Sequence, residues 1–348
     1  MNSRLSVTMF VAAALAACTT SAPLPASQEE MVFSAVASHS VKNIITTTNY
    51  PLDEPFIVEA VYYSNGDDSA EGETFITQDT VRYSFDKALW KSDGEYFWPK
   101  KGKLVFYAGS PILPNVTVSP DSGVEADWSI PTEAETETDL CFARTVESCE
   151  AHSSMVPIVF NHALSQICFK ARTVKNYSSS YKEGNLIQAN QITMVLDSVK
   201  MRSILSEGHF TQRPRGWDVN PDVKSGYTVF DKPEGQELKC DRYDNPILSP
   251  IGTMLMVPQT LSEDAVIEEW HHAVVRSSVT DSSTGSIVSD NTYTIPGSTV
   301  IQISKYCERW IMDFKYTIRL IVGLDEPSTL AVAVTDWTET KEIIIGDE

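Results

Sequence analysis

Three histidine positions and one acidic loop are where chemistry would be sought first. His271 and His272 follow Trp270 inside the strand-like run Val266–Val275. Adjacent strand residues point to opposite faces, so one metal ion is not easily held by both. His162 stands in Asn161-His162-Ala163-Leu164, where a structural hydrogen bond is the expected role. Asp67, Asp68, Glu71 and Glu73 offer calcium donors, but their spacing does not match an EF-hand, so a solvated loop is expected. There is no Gly-x-Ser-x-Gly and no His-Glu-x-x-His. With 47 acidic residues, carboxylate pairs are too plentiful to mark a glycosidase pair. No catalytic residue, metal ligand or cofactor is therefore assigned, and the chain is expected not to be an enzyme.

The cysteines carry a different kind of chemistry. Residues 1–17 have a positive start at Arg4 and an apolar run from Val7 to Ala17. That run is shorter than the roughly 20 apolar residues needed to span a bilayer, so it reads as an export signal. It ends in Leu15-Ala16-Ala17-Cys18, the pattern of a lipobox. Cleavage before Cys18 and acylation of its thiol and amine, palmitate included, would anchor the chain, since two or more acyl chains hold stably. Thr19 rather than Asp after Cys18 points to the outer membrane. Five more cysteines follow: Cys141, Cys149, Cys168, Cys240 and Cys307. Export permits disulfides. Cys141 with Cys149, or Cys240 with Cys307, could pair, and small buried thiols are the alternative. No Cys-x-x-Cys occurs, which disfavours a zinc or redox pair.

Behind these residues stands a chain of 348 residues with net charge −20. That charge argues against nucleic acid, whose binders need a basic patch. Residues 18–30 are expected to form a flexible tether. Short period-two runs follow: Phe56–Tyr63, Gln78–Phe85, Ala163–Ala171, Gln191–Met201, Val266–Val275, and Phe314–Val322, the cleanest. Residues 206–250 read as a long connection with a weak strand at Tyr227–Phe230, and Thr280–Asn291 as a polar loop. The run Thr-Glu-Ala-Glu-Thr-Glu-Thr-Asp from Thr132 reads as an exposed edge. No amphipathic helix of 12 residues is found, and the spacing of strands and turns predicts all-β sandwiches. The pattern resets near Glu150–Ser154, which divides the chain into 31–154 and 155–348.

The densest stretch is Trp90–Pro111. In it Trp98-Pro99 ends an extended segment and Lys100-Lys101-Gly102 turns the chain. Leu104, Phe106 and Ala108 then point one way and Val105 and Tyr107 the other, as in a central strand. Of the seven tryptophans most read as core, with Trp128 and Trp217 expected to be exposed because they lie in loop-like sequence.

Four groups of residues resemble the fimbrillin family of Mfa-like lipoproteins and type V pilus subunits of anaerobic gut and oral bacteria. They are Leu15–Cys18; Trp90 through Trp98-Pro99 to Leu104–Ala108 and Pro111; Pro157–Ser165; and Leu255–Thr260 with Val334–Trp337. The resemblance implies two tandem transthyretin-like β-sandwich domains and a role as shaft, tip or anchor of a fimbrium serving adhesion. It implies other fimbrial subunits as partners through strand exchange, the outer membrane through lipid on Cys18, and a host or bacterial surface ligand. It also implies proteolytic removal of an N-terminal strand, for which Lys42 is the candidate: it is the only Lys or Arg between Arg4 and Arg82. Asp68-Ser69-Ala70 is similar to an O-glycan acceptor triplet, which makes Ser69 a candidate. The alternative reading is an outer-membrane glycan-binding lipoprotein using exposed aromatics.

Overall fold

A computed structural model describes residues 26–37, 50–67, 71–132, 138–337 and 343–345. Among them no α-helix occurs; apart from one 3-10 turn at Ile303–Lys305 every element is a strand. The all-β expectation holds.

The first sheet closes on itself. Around it run Cys141–Ser148, Val156–His162, Phe33–Ala37, Leu89–Ser92, Glu73–Ser84, Phe56–Tyr63 and Lys103–Ser110, which returns to Cys141–Ser148. Its interior is aromatic: Phe33, Phe56, Trp90, Trp98, Phe106 and Phe160 are buried together. Tyr50 stacks on Phe160 with ring centroids 4.7 Å apart. Lys103–Ser110 is central, laddered to Phe56–Tyr63 on one side and Cys141–Ser148 on the other. The central placement is as expected, and its alternation feeds two cores. Leu104, Phe106 and Ala108 fill the barrel, while Val105 and Tyr107 face the second core.

That second core is sandwiched between two larger sheets. One has the order Ser249–Met256, Ser165–Thr173, Phe314–Val322, Thr329–Asp336, Ile343–Ile345. The other has Ser179–Glu183, Leu186–Leu205, Val266–Asp281 and Ile287–Gln302 in order, with Lys224–Leu238 also on Leu186–Leu205. A four-stranded sheet joins the sequence halves: Arg215–Val219, Glu207–Gln212, Gly123–Ser129, Val116–Ser119. Gln212 fastens it, accepting from the Val124 amide at 2.9 Å and donating to the Ala143 carbonyl at 3.2 Å. Val156–His162 follows the point where the sequence pattern resets, yet it ladders with Cys141–Ser148 and Phe33–Ala37 in the barrel. The chain enters the second core at Ala163 and Leu164, both fully buried.

Two readings of local structure are corrected, and a third is left untested. Residues 206–250 hold the strands Glu207–Gln212, Arg215–Val219 and Lys224–Leu238 rather than one connection. Thr280–Asn291 is mostly strand, the tip of a long hairpin whose turn covers residues 282–286. Of the acidic run from Thr132, residues 133–137 lie outside the described residues.

Candidate functional site

The thinnest seam of the barrel lies along the N-terminal strand. Phe33–Ala37 is paired parallel to Val156–Phe160 over five residues. On its other side it meets Leu89–Ser92 through a single pair, Phe33 with Trp90. Opposite Ser34 stands Pro157, which has no amide hydrogen to give. A strand held by so few ladder bonds depends on its side chains. Phe33 is fully buried against Phe106, edge to face at 6.2 Å. A fully buried phenylalanine stabilises by about 1.5–3 kcal/mol. Met31 is buried too, and its amide donates to the Tyr96 carbonyl at 2.8 Å. Val36 faces outward, 37% exposed.

Upstream, Ala26–Glu30 pairs with Phe97–Pro99, held from outside by charge. Lys91 lies 2.5 Å from Glu30, and this hydrogen bond holds the Glu30 carboxyl below its ordinary range. His152 Nε2 is 3.8 Å from Glu29, and its ring stacks on buried Trp98 at 3.9 Å. The sequence around Trp98-Pro99 thus braces the N-terminal segment as well as the core.

A second group of polar residues lies deep at the junction of the two cores. His162 Nδ1 is 2.6 Å from Asp139 Oδ2 and 3.7 Å from Cys141 Sγ. Its ring stacks parallel on Trp337 at 4.0 Å. The hydrogen bond expected of His162 is present. Both neighbours approach the same ring nitrogen, so this is no Cys-His-Asp relay, which needs one partner on each nitrogen. Burial pushes the Cys141 thiol well up from its ordinary value, with Asp139 adding to it.

A model of the family described as "Fimbrillin-like" matches residues 58–337. The chain belongs to the fimbrillin-like family. Membership carries a fimbrial or adhesive role and a cell-surface setting. No match was found among curated proteins. Among solved structures, a Bacteroides uniformis protein described as a cell adhesion protein is similar at 10% identity and TM-score 0.49, covering 89% of this chain and 100% of its own. One from Bacteroides ovatus, described likewise, has 15% identity and TM-score 0.49, covering 90% and 99%. The fimbrial anchor protein Mfa2 of Porphyromonas gingivalis has 13% identity and TM-score 0.31, covering 88% and 98%.

In this fimbrillin-like chain Cys18, Lys42 and Ser69 lie outside the described residues, as does Asp68. His271 and His272 point to opposite faces and bind different carboxylates: Glu269 at 2.6 Å and Asp197 at 2.8 Å. Cys141, Cys149, Cys240 and Cys307 form no disulfide, so neither pairing considered for them is present in the structure. Cys141 and Cys149 are buried.

The tryptophan expectation is corrected in part. Trp128 is in a strand and only 8% exposed, with Gly208 as its ladder partner. Trp217 is half-buried, its indole donating to the Ala163 carbonyl at 2.7 Å. Trp270 is the outward one at 37%, with Ser198 and Ser298 as its ladder partners. Its strand context concealed this, because a strand buries only one of its two faces.

Proposed function

We propose that this protein is a subunit of a surface fimbrium, assembled by strand exchange and serving adhesion, and held to the outer membrane through lipid on Cys18 until cleavage. The observation that carries the reading is the barrel seam, where Phe33–Ala37 touches Leu89–Ser92 through one residue pair. Loss of such a strand leaves an edge of backbone donors and acceptors and a slot shaped for Phe33. An incoming strand can fill both by β-augmentation. Lys42 follows this strand by five residues in sequence, so cleavage there detaches the strand together with Cys18. The donor in this reading is the C-terminal segment, whose Ile343–Ile345 pairs through three residues with Val332–Val334. Kept whole, the same protein serves as a lipid-held anchor. Ser69 is the acceptor for O-glycan on the exported chain, and the intact mass reads whether that modification is present.

Two measurements test this. Mass spectrometry of the mature N-terminus should find an acylated Cys18 or a start at Asn43; an unmodified Cys18 rules out the lipid anchor. Deleting residues 26–42 from the mature chain should yield assemblies in vitro where the complete chain stays monomeric. If both remain monomeric, strand exchange at this seam is wrong.

A second reading is saccharide binding at the cell surface, favoured by Trp270 alone. Its indole faces outward between two serines, with Lys200 over the ring at 5.8 Å. Retardation in polysaccharide gels that Trp270→Ala abolishes would support it; equal mobility of both proteins would not.

A further inference from the structure

The junction cluster has the composition of a metal site. Asp139 Oδ, Cys141 Sγ and His162 Nδ1 all lie within 4.8 Å of one another. Cys141 and His162 are fully buried and Asp139 is 6% exposed. Cys141 and His162 are ladder partners on neighbouring strands, so the backbone itself sets them side by side. The parallel stack of Trp337 on His162 fixes the imidazole plane.

Two observations are unexplained by a hydrogen-bonded cluster alone. Asp139 Oδ1 is buried with no hydrogen-bond partner, at a cost of about 1–3 kcal/mol or more for a charged group. In addition, Asp313 sits beside the cluster in a left-handed backbone conformation (φ 66°), its Oδ1 accepting from the His162 amide at 3.3 Å. One carboxylate, Asp139, thus meets the His162 imidazole and a second, Asp313, meets its backbone amide, about a fully buried histidine.

We propose that Asp139, Cys141 and His162 bind one divalent transition-metal ion of the zinc class, as a structural site at the junction of the two cores. A carboxylate oxygen, a thiolate and an imidazole nitrogen are the ligand set such an ion takes, at about 2.0–2.3 Å each. The sulfur–nitrogen separation of 3.7 Å fits two ligands on one tetrahedron. The 2.6 Å oxygen–nitrogen contact is a hydrogen bond, so Asp139 turns to present its unpartnered Oδ1 to the ion. On binding, the Cys141 thiol proton leaves to solvent and the Nδ1 proton that His162 gives Asp139 moves to Nε2, so the neutral imidazole coordinates through Nδ1. The dication, one thiolate and one carboxylate then sum to zero charge. Structural sites of this kind are closed, so burial suits the role. The ion would tie the segment before Cys141–Ser148 to the end of Val156–His162, and through Trp337 to the last large sheet.

The test is to produce the full-length mature protein in medium containing Co2+, purify it without chelator under reducing conditions, and measure metal content and absorbance. One cobalt per chain with a cobalt–thiolate charge-transfer band is expected. Cys141→Ser and His162→Gln should each lower bound cobalt roughly tenfold or more, and Cys168→Ser should leave it unchanged. Wild-type protein with substoichiometric cobalt and no band overturns the proposal, and does so even if the variants fail to fold. So does a band that persists in Cys141→Ser.

Discussion

Glu59 lies inside the barrel wall, 5% exposed, accepting from the Gln78 amide at 3.0 Å. Burial raises its carboxyl above the ordinary range, and the amide hydrogen bond offsets only part of that. Folding therefore favours the protonated form relative to the unfolded chain. The stability tied to this group is complete below the unfolded carboxyl value and is lost as pH rises through the folded one. Glu59→Gln, which keeps the acceptor oxygen, should gain roughly 1 kcal/mol at pH 7, or about 2–4 °C in melting temperature. The gain should vanish on acidification below the ordinary carboxyl range, and a gain that persists there would contradict the assignment. A thiol offers a second probe. Burial, with Glu150 nearby, pushes Cys149 up to about 11. Alkylation at pH 8 followed by peptide mass mapping should label Cys168, Cys240 and Cys307 before Cys149; early labelling of Cys149 would argue against a closed barrel.

At the scale of the element, two strands make contrasting demands. Phe33–Ala37 relies on one large side chain, so Phe33→Ala should cost about 3–5 kcal/mol in urea unfolding. Val36→Ala on the outward face should stay within about 0.5 kcal/mol. Lys103–Ser110 must be thin where the four-stranded sheet lies across it. A Cβ at Gly109 would stand 3.0 Å from both Val118 and Val124. Gly109→Val should therefore lift that sheet, destabilise the protein by about 1–3 kcal/mol, and raise hydrogen exchange in residues 116–129. The central role of this strand was legible because apolar residues alternate on both its faces. Other strands were hidden for a physical reason. Ile287–Gln302 exposes both faces along most of its length, so Ser, Thr and Asn replace the apolar alternation that marks a strand. Parallel pairing of Phe33–Ala37 to Val156–Phe160 joins segments more than 100 residues apart, and no local pattern encodes that contact. The junction cluster was half legible: the hydrogen bond of His162 was expected, but Asp139 and Cys141 became its partners only through the ladder.

Across the whole molecule, the two cores are joined by shared parts. Phe56–Tyr63, Lys103–Ser110 and Cys141–Ser148 each contribute to both, and the four-stranded sheet takes strands from each half of the sequence. Removal of the N-terminal strand should therefore open the barrel seam while the junction and the second core persist, which is what a subunit needs if it is to remain folded while awaiting a donor. On the proposed strand exchange, the net charge of −20 would help keep such intermediates apart until strand and slot engage. Assembly in this account depends on release of the strand after Lys42, and it is tested most directly by immunogold electron microscopy of cells carrying Lys42→Ala in place of the native residue. The account predicts label confined to the membrane and filaments that lack it, against label along or at the ends of filaments in the parent. Labelled filaments of normal length and number in the variant would contradict it.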